Sequence, residues 1–177
     1  LRKNLKWSYE PFEIPESVYE DWDFKEKGKI LENNWKKICE EHEKEDSEKA
    51  RLLKRLASGD LPEGFFQAFN NHIVDLQENT DSVATRKCSQ IVLEFLKEQL
   101  PELVGGSADL SGSNNTITKL STAINSDPSG NYIYYGVREF GMNAIMNGMS
   151  LHGGIIPFGG TFLVFMDYGR NAVRMSA

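Results

Sequence analysis

Arg138 and Glu139 stand together in front of 27 residues, Phe140 to Met166, that carry no formal charge. A carboxylate at the mouth of an apolar segment is suited to one task in particular: partly desolvated, it can share a proton with a ligand nitrogen. YGVREFGM places Glu139 just after a predicted strand, in the first turn of a predicted helix. There the helix dipole favours the anion, while burial beside Phe140 and Met142 opposes it. A plainer reading, a helix-start glutamate neutralised by Arg138, stays open.

Two other stretches carry usable chemistry. In GGSADLSGSNNT, Gly105 to Thr116, small residues expose backbone N–H groups able to cradle a phosphate. The spacing fits neither the P-loop nor the dinucleotide fingerprint, and an ordinary surface turn remains an alternative. In GGTFLVFMDYGRNAVRMSA, Thr161 is a candidate N-cap, and Phe162, Phe165 and Tyr168 follow at three-residue steps on one helical face. Such a stripe serves either as core or as the wall for a flat heteroaromatic ring. His152 is read as a satisfied histidine on a buried helix rather than as a base.

The elements that must hold these residues follow from the pattern around them. NYIYYGV and GIIPF have the β-branched and aromatic content of strands. Between them Phe140, Ile145, Met149 and His152 recur near helical spacing, with Gly153-Gly154 as the stop. TRKCSQIVLEFLKEQL reads as a helix ending near Pro101, and LVGG as a short apolar approach to the Gly/Ser/Asn-rich loop. Strand and helix in alternation predict a parallel α/β sheet, with ligands at the carboxyl ends of its strands.

Upstream, the chain reads as helices. Pro15 and Glu16 suit a first helical turn, the stretch from Asn33 to Asp60 carries Trp35, Ile38, Leu52, Leu53 and Leu56 among charges, and a further helix after Leu61-Pro62 uses Phe65, Phe66, Phe69, Ile73 and Leu76. Of the 46 charged residues 38 precede Leu103, whereas 12 of the 15 glycines follow it, so two kinds of structure are joined.

Composition narrows the function classes. With 40% hydrophobic and 26% charged residues, the 177-residue chain is expected to be globular. A net charge of -6, with basic residues interleaved among acids, argues against a nucleic-acid partner. Cys39 and Cys88 lack metal-ligand spacing and predict neither a disulfide framework nor a zinc site, which fits a reducing cytoplasm. LRKNLKWSYEP has no apolar leader core, and Asn143, Asn147, His152 and Pro157 spoil the uncharged run as a membrane span.

TRKCSQ, GGSADLSGSNNT, YGVREFGMNAIMNGMSLHGG and GGTFLVFMDYGRNAVRMSA together resemble transketolase, a family of thiamine diphosphate enzymes. WSYEPFEIPESVYEDWD extends the resemblance upstream, to the family's segment between its diphosphate-binding and pyrimidine-binding domains. The resemblance implies a fragment: residues 1–80 as a helical linker, and residues 81–177 as the first part of a truncated parallel-sheet pyrimidine-binding domain. It implies transfer of a two-carbon ketol unit between sugar phosphates, with thiamine diphosphate as cofactor. A divalent cation, magnesium or calcium, would take its ligands from outside this chain, and each active site would form across a homodimer.

By position, Glu139 matches the glutamate that contacts N1′ of the cofactor's aminopyrimidine. Phe165 matches the aromatic residue packed on that ring, with Phe162 and Tyr168 lining the same pocket. Arg86 and Ser113 match contacts to the substrate phosphate, and Asp109 falls near the cofactor without an assigned role. Gly112-Ser113-Asn114-Asn115-Thr116 replaces the Pro-Ser-Asn-Leu-Thr of some transketolases, and Thr85 replaces a serine; Gly112 makes the loop more permissive. Two alternatives stay open: another ketose-acting enzyme of the same cofactor, such as a dihydroxyacetone synthase, and a non-catalytic binding piece.

Overall fold

The computed structural model describes residues 1–79 and 82–177. The expected boundary between residues 80 and 81 therefore lies outside the described residues. The chain forms two compact units, Leu1–Arg51 and Leu52–Ala177.

The first unit holds α1 (Glu16–Trp22) and α2 (Lys25–Glu45), with Pro15 as the residue before the first helix. The segment expected as one helix to residue 58 is two. At Asp46 the backbone leaves the helical region (φ -143°, ψ 84°), and the Asp46 carboxylate accepts the Lys49 N–H at 3.0 Å. That is an N-cap, so α3 (Ser47–Ser58) starts afresh. It stops at Gly59, whose φ of 76° suits a residue without Cβ.

The second unit contains α4 (Phe65–Asn79), α5 (Thr85–Gln99), β1 (Leu103–Ser107), the short α6 (Ser111–Asn114), β2 (Tyr132–Tyr134), α7 (Glu139–His152), β3 (Ile156–Gly160) and α8 (Met166–Ser176). The three strands form a parallel sheet in the order β2-β1-β3. The two predicted strands are thus its edges, and the centre is LVGGS, expected only as an approach to a loop. Glycine-rich sequence reads as a weak strand. Here it is required: a Cβ on Gly105 would strike the Phe158 carbonyl, and one on Gly106 the Ile133 carbonyl.

Two apolar clusters cover the sheet. Phe65 of α4 and Leu93 of α5 pack with Leu100 and Leu103, with Phe69, Phe95, Leu96 and Phe158 around them. Ala108, Tyr135 and Met142 of α7 form the other, joined by Ile133 and Met146. The periodicity of α7 identified the helix but not its inner face. Met142 and Asn143 are buried, whereas Phe140 and Ile145 are each 51% exposed. No helix among the described residues is long and apolar enough to cross a membrane.

Two charged groups are fixed inside this unit. Arg55 of α3 makes a bidentate pair with Glu102, at 2.6 and 3.0 Å, just ahead of β1. Lys97 of α5 is buried without a carboxylate partner among the described residues. It donates to Ser121 Oγ at 2.7 Å and lies 5.4 and 5.3 Å from the Tyr132 and Phe158 ring centres. Burial pulls the ammonium down to about 8 from its usual 10.5.

A stability test follows. Between those two pH values the unfolded chain binds the extra proton, so stability should rise with pH, by up to about 3 kcal/mol in total. The buried Tyr135 phenol, pushed up to about 12 by burial, opposes this above pH 10. The clean window is therefore pH 8 to 9.5. Urea midpoints should climb across it for this chain and stay flat for Lys97→Met; parallel curves would contradict the assignment.

Candidate functional site

The carboxyl ends of the three strands bring together most of the residues singled out in the sequence. Backbone bonds level this edge: Tyr135 N–H donates to the Ser107 carbonyl at 3.2 Å, and Ala108 N–H to the Gly160 carbonyl at 3.0 Å. From this rung the chain leaves β1 toward Asp109, β2 toward Glu139 and β3 toward Phe162.

Glu139 is the first residue of α7 and is only 7% exposed. Its carboxylate makes no hydrogen bond or ion pair with any described residue. Arg138 does not neutralise it: the guanidinium turns back and donates to the Tyr135 carbonyl at 3.0 Å. Phe140 points outward, so the apolar flank of Glu139 comes from elsewhere. Gly169 of α8 packs against α7, with an added Cβ 3.4 Å from the Glu139 carbonyl and 2.5 Å from Asn143 Nδ2. Asn143 itself donates to the Glu139 carbonyl at 2.8 Å, and Asn147 to the Ala172 carbonyl at 2.8 Å. Small residues on α8 and amides on α7 therefore set how closely α8 approaches the first turns of α7.

The aromatic stripe lies on the segment that leads into α8, and only Tyr168 is within the helix. Phe162 and Phe165 stack at 5.7 Å and 20°, and Phe165 and Tyr168 at 5.9 Å and 24°. The stripe is not core. Phe162 and Tyr168 are exposed and Phe165 is partly buried. Thr161 does not cap it: the helical segment opens as a 3-10 turn at Leu163–Phe165, and the Thr161 hydroxyl is buried without a partner. His152 is exposed at the far end of α7, with Nδ1 3.0 Å from the Gly153 carbonyl.

The β1–α6 loop supplies Asp109 and Ser113. Asp109 is exposed in a left-handed conformation (φ 61°), which costs a non-glycine residue energy and clusters at functional sites. Ser113 is exposed on α6, and Arg86 is exposed in the first turn of α5. No hydrogen bond or ion pair joins Arg86 to Ser113.

Sequence reasoning passed over the residues beneath the loop. Ser107 is fully buried, and its Oγ donates to the Gly160 carbonyl (3.0 Å) while accepting Leu110 N–H (3.1 Å) and Asn114 Nδ2 (2.9 Å). The Tyr135 hydroxyl, buried and unpartnered, was also missed. A lone serine ending a glycine pair carries no sequence signal of such a role. No group of three or more His, Cys, Asp or Glu side chains among the described residues is placed to hold a metal ion.

Chemically, a carboxylate that no described residue engages can hold a ring nitrogen that carries or receives a proton. The stacked aromatic side chains on the segment leading from β3 into α8 can flank a flat ring.

Comparison with known proteins adds independent information. Residues 81–177 match the family model for the transketolase pyrimidine binding domain, and residues 1–62 match that for the transketolase thiamine diphosphate binding domain. The chain is 49% identical over 176 residues to a transketolase of Buchnera aphidicola subsp. Schizaphis graminum, covering 99% of this chain and 26% of that protein. It is 48% identical to transketolase 1 of Escherichia coli K12, again over 99% of this chain and 26% of the relative. It therefore spans about a quarter of the length of these relatives.

Among solved structures, a Pichia stipitis transketolase in complex with sedoheptulose-7-phosphate superposes with a TM-score of 0.84 at 34% identity, over 98% of this chain and 27% of that one. The transketolase of Leishmania mexicana gives 0.79 at 31% identity, over 95% and 25%.

Proposed function

This chain belongs to the transketolase family, and on that premise we propose that the protein containing it moves a two-carbon ketol unit from a ketose phosphate to an aldose phosphate. The observation that carries the proposal is Glu139, a largely buried residue at the carboxyl edge of the sheet whose carboxylate bonds to no described residue, with the stacked Phe162, Phe165 and Tyr168 on the segment that leads from β3 into α8. This donor set fits the aminopyrimidine of thiamine diphosphate, a flat ring with a basic nitrogen. When bound, that cofactor supplies a nucleophilic carbon able to attack the ketose carbonyl.

The roles of the chain's own residues follow. Glu139 holds and shares the proton at the pyrimidine N1′. Phe165 packs on the ring, and Phe162 and Tyr168 line the same wall. Asp109, in its left-handed turn on the β1–α6 loop, belongs to the cofactor side of the site without an assigned role. Arg86 provides a guanidinium and Ser113 a hydroxyl to the substrate phosphate, a charge-assisted pairing with one added hydrogen bond.

The remaining parts of the reading concern the larger protein. We assign residues 1–80 to a linker and 81–177 to the pyrimidine-binding domain, with a magnesium or calcium ion held by residues elsewhere. Exposed apolar side chains on α7 and α8, among them Phe140, Val173 and Met175, suit a homodimer in which a second copy completes the site. A cytoplasmic location fits the charge and cysteine content.

The reading is tested by expressing a full-length enzyme with this segment in the matched position and supplying a ketose phosphate. Transfer to an aldose phosphate should far exceed transfer to formaldehyde. The reverse preference would favour a dihydroxyacetone synthase, and no transfer to either would overturn the reading.

A second expectation concerns the wall. Phe165→Ala should weaken thiamine diphosphate binding about tenfold, the order of one aromatic stacking contact with its lost buried area. Titration of the cofactor into the apoenzyme by intrinsic fluorescence checks this; unchanged affinity would remove Phe165 from the wall.

A further inference from the structure

We propose that Asn114, acting through Ser107, is a positioning residue that sets the preference for phosphorylated over unphosphorylated ketoses. The inference rests on the reading of Arg86 and Ser113 as the phosphate contacts and adds a determinant beneath them.

Ser113 has no hydrogen bond of its own side chain, so its direction depends on the orientation of α6. A four-residue helix has little intrinsic preference for one orientation. The next residue supplies it. Asn114 Nδ2 donates to Ser107 Oγ at 2.9 Å, and Asn114 Oδ1 accepts from the Thr116 hydroxyl at 3.0 Å. The Tyr132 hydroxyl lies 2.8 Å from Thr116 Oγ1 and 2.7 Å from Ser111 Oγ, with its one proton available to either. Both ends of α6 are thereby tied to β1 and β2.

Ser107 is where the tie becomes specific. Its hydroxyl has one proton and two acceptor positions, and all three are used. The Gly160 carbonyl takes the proton, and Leu110 N–H and Asn114 Nδ2 occupy the acceptors. One buried oxygen therefore joins the loop bearing Asp109 and Ser113 to the end of β3, from which the Phe162 to Tyr168 wall departs. Asn114 and Thr116 also lie close against Gly160, where an added Cβ would come within 2.5 Å of Thr116 and 2.8 Å of Asn114. Removing the Asn114 amide frees α6 to turn and redirects the Ser113 hydroxyl. It leaves Glu139 and the aromatic wall, which depend on α7 and α8, in place.

The experiment measures kcat/KM for a ketose phosphate and for the same ketose without phosphate, in the full-length holoenzyme carrying this segment. Asn114→Ala should lower the ratio of the two about tenfold, chiefly through KM for the phosphorylated substrate, the order of one lost buried hydrogen bond. Thr116→Val, which keeps the side-chain shape and removes the hydroxyl, should lower it in the same direction. A purely structural role would reduce both substrates alike and leave the ratio unchanged, which overturns the proposal. Arg86→Ala separates the two layers. If it lowers the ratio while both Asn114→Ala and Thr116→Val do not, only this inference fails; if Arg86→Ala leaves the ratio unchanged, the phosphate-site reading fails and takes this inference with it.

Discussion

Replacing Glu139 by glutamine in a full-length enzyme carrying this segment is expected to lower turnover about 10³-fold, within the range of a positioned acid–base group. The reason lies in what surrounds the carboxylate. Glu139 is a largely buried residue, 7% exposed, and its neighbour Arg138 is engaged with the Tyr135 carbonyl, so no described residue engages the carboxylate and it is free to meet a ligand. Glutamine keeps the shape and a hydrogen-bonding oxygen but cannot exchange a proton at that place. Melting temperature and subunit assembly should stay close to those of the parent. Turnover within tenfold of the parent would remove Glu139 from the chemistry.

The second large effect concerns stability. Arg55→Ala is expected to cost about 3 kcal/mol, the lower end of what breaking a buried pair costs. The Arg55 side chain is 18% exposed, but Glu102 is only 5% exposed and would be left as an unpaired buried charge. Burial alone would push the Glu102 carboxyl up; the hydrogen bonds and charge of Arg55, with a backbone hydrogen bond, outweigh it and hold the group below its usual 4.5.

The sign follows. A depressed carboxylate contributes stability that is present above pH 4.5 and is lost as pH falls through the lower folded value. The parent chain should therefore lose more stability than Arg55→Ala on acidification below pH 4.5. Replacing both partners with apolar residues, Arg55→Met with Glu102→Leu, should recover most of the loss. Urea denaturation at pH 7 and pH 4 reads both effects. A cost below 1 kcal/mol for Arg55→Ala would mean that the pair contributes little.

How much of this was legible in the sequence depended on which interactions decide each element. Helices α4, α5 and α7 and strands β2 and β3 are set by local periodicity and β-branched or aromatic content, and the sequence showed them. The central strand was not visible because Gly105 and Gly106 are there for close approach of two neighbouring strands, a tertiary requirement. The break at Asp46 rests on one side chain competing for the Lys49 N–H, which a run of helix-forming charges conceals.

At the site, position along the chain gave Glu139, Phe162, Phe165 and Tyr168. Their surroundings were less accessible. The direction of Arg138 is set by the Tyr135 carbonyl, and the buried face of α7 by how α8 seats on it through Gly169 and Ala172. The Ser107 hydroxyl illustrates the general difficulty: three bonds from three elements meet on a residue whose type and neighbours resemble any turn.

The most direct test of the central claim is the rate at which deuterium replaces the C2 proton of the thiazolium ring of thiamine diphosphate bound to the enzyme, read by NMR after acid quench without any sugar present. With the parent segment the exchange should be fast, and with Glu139→Gln about 10³-fold slower at full cofactor occupancy. Exchange at the parent rate in Glu139→Gln, with the cofactor shown to be bound, would contradict the account.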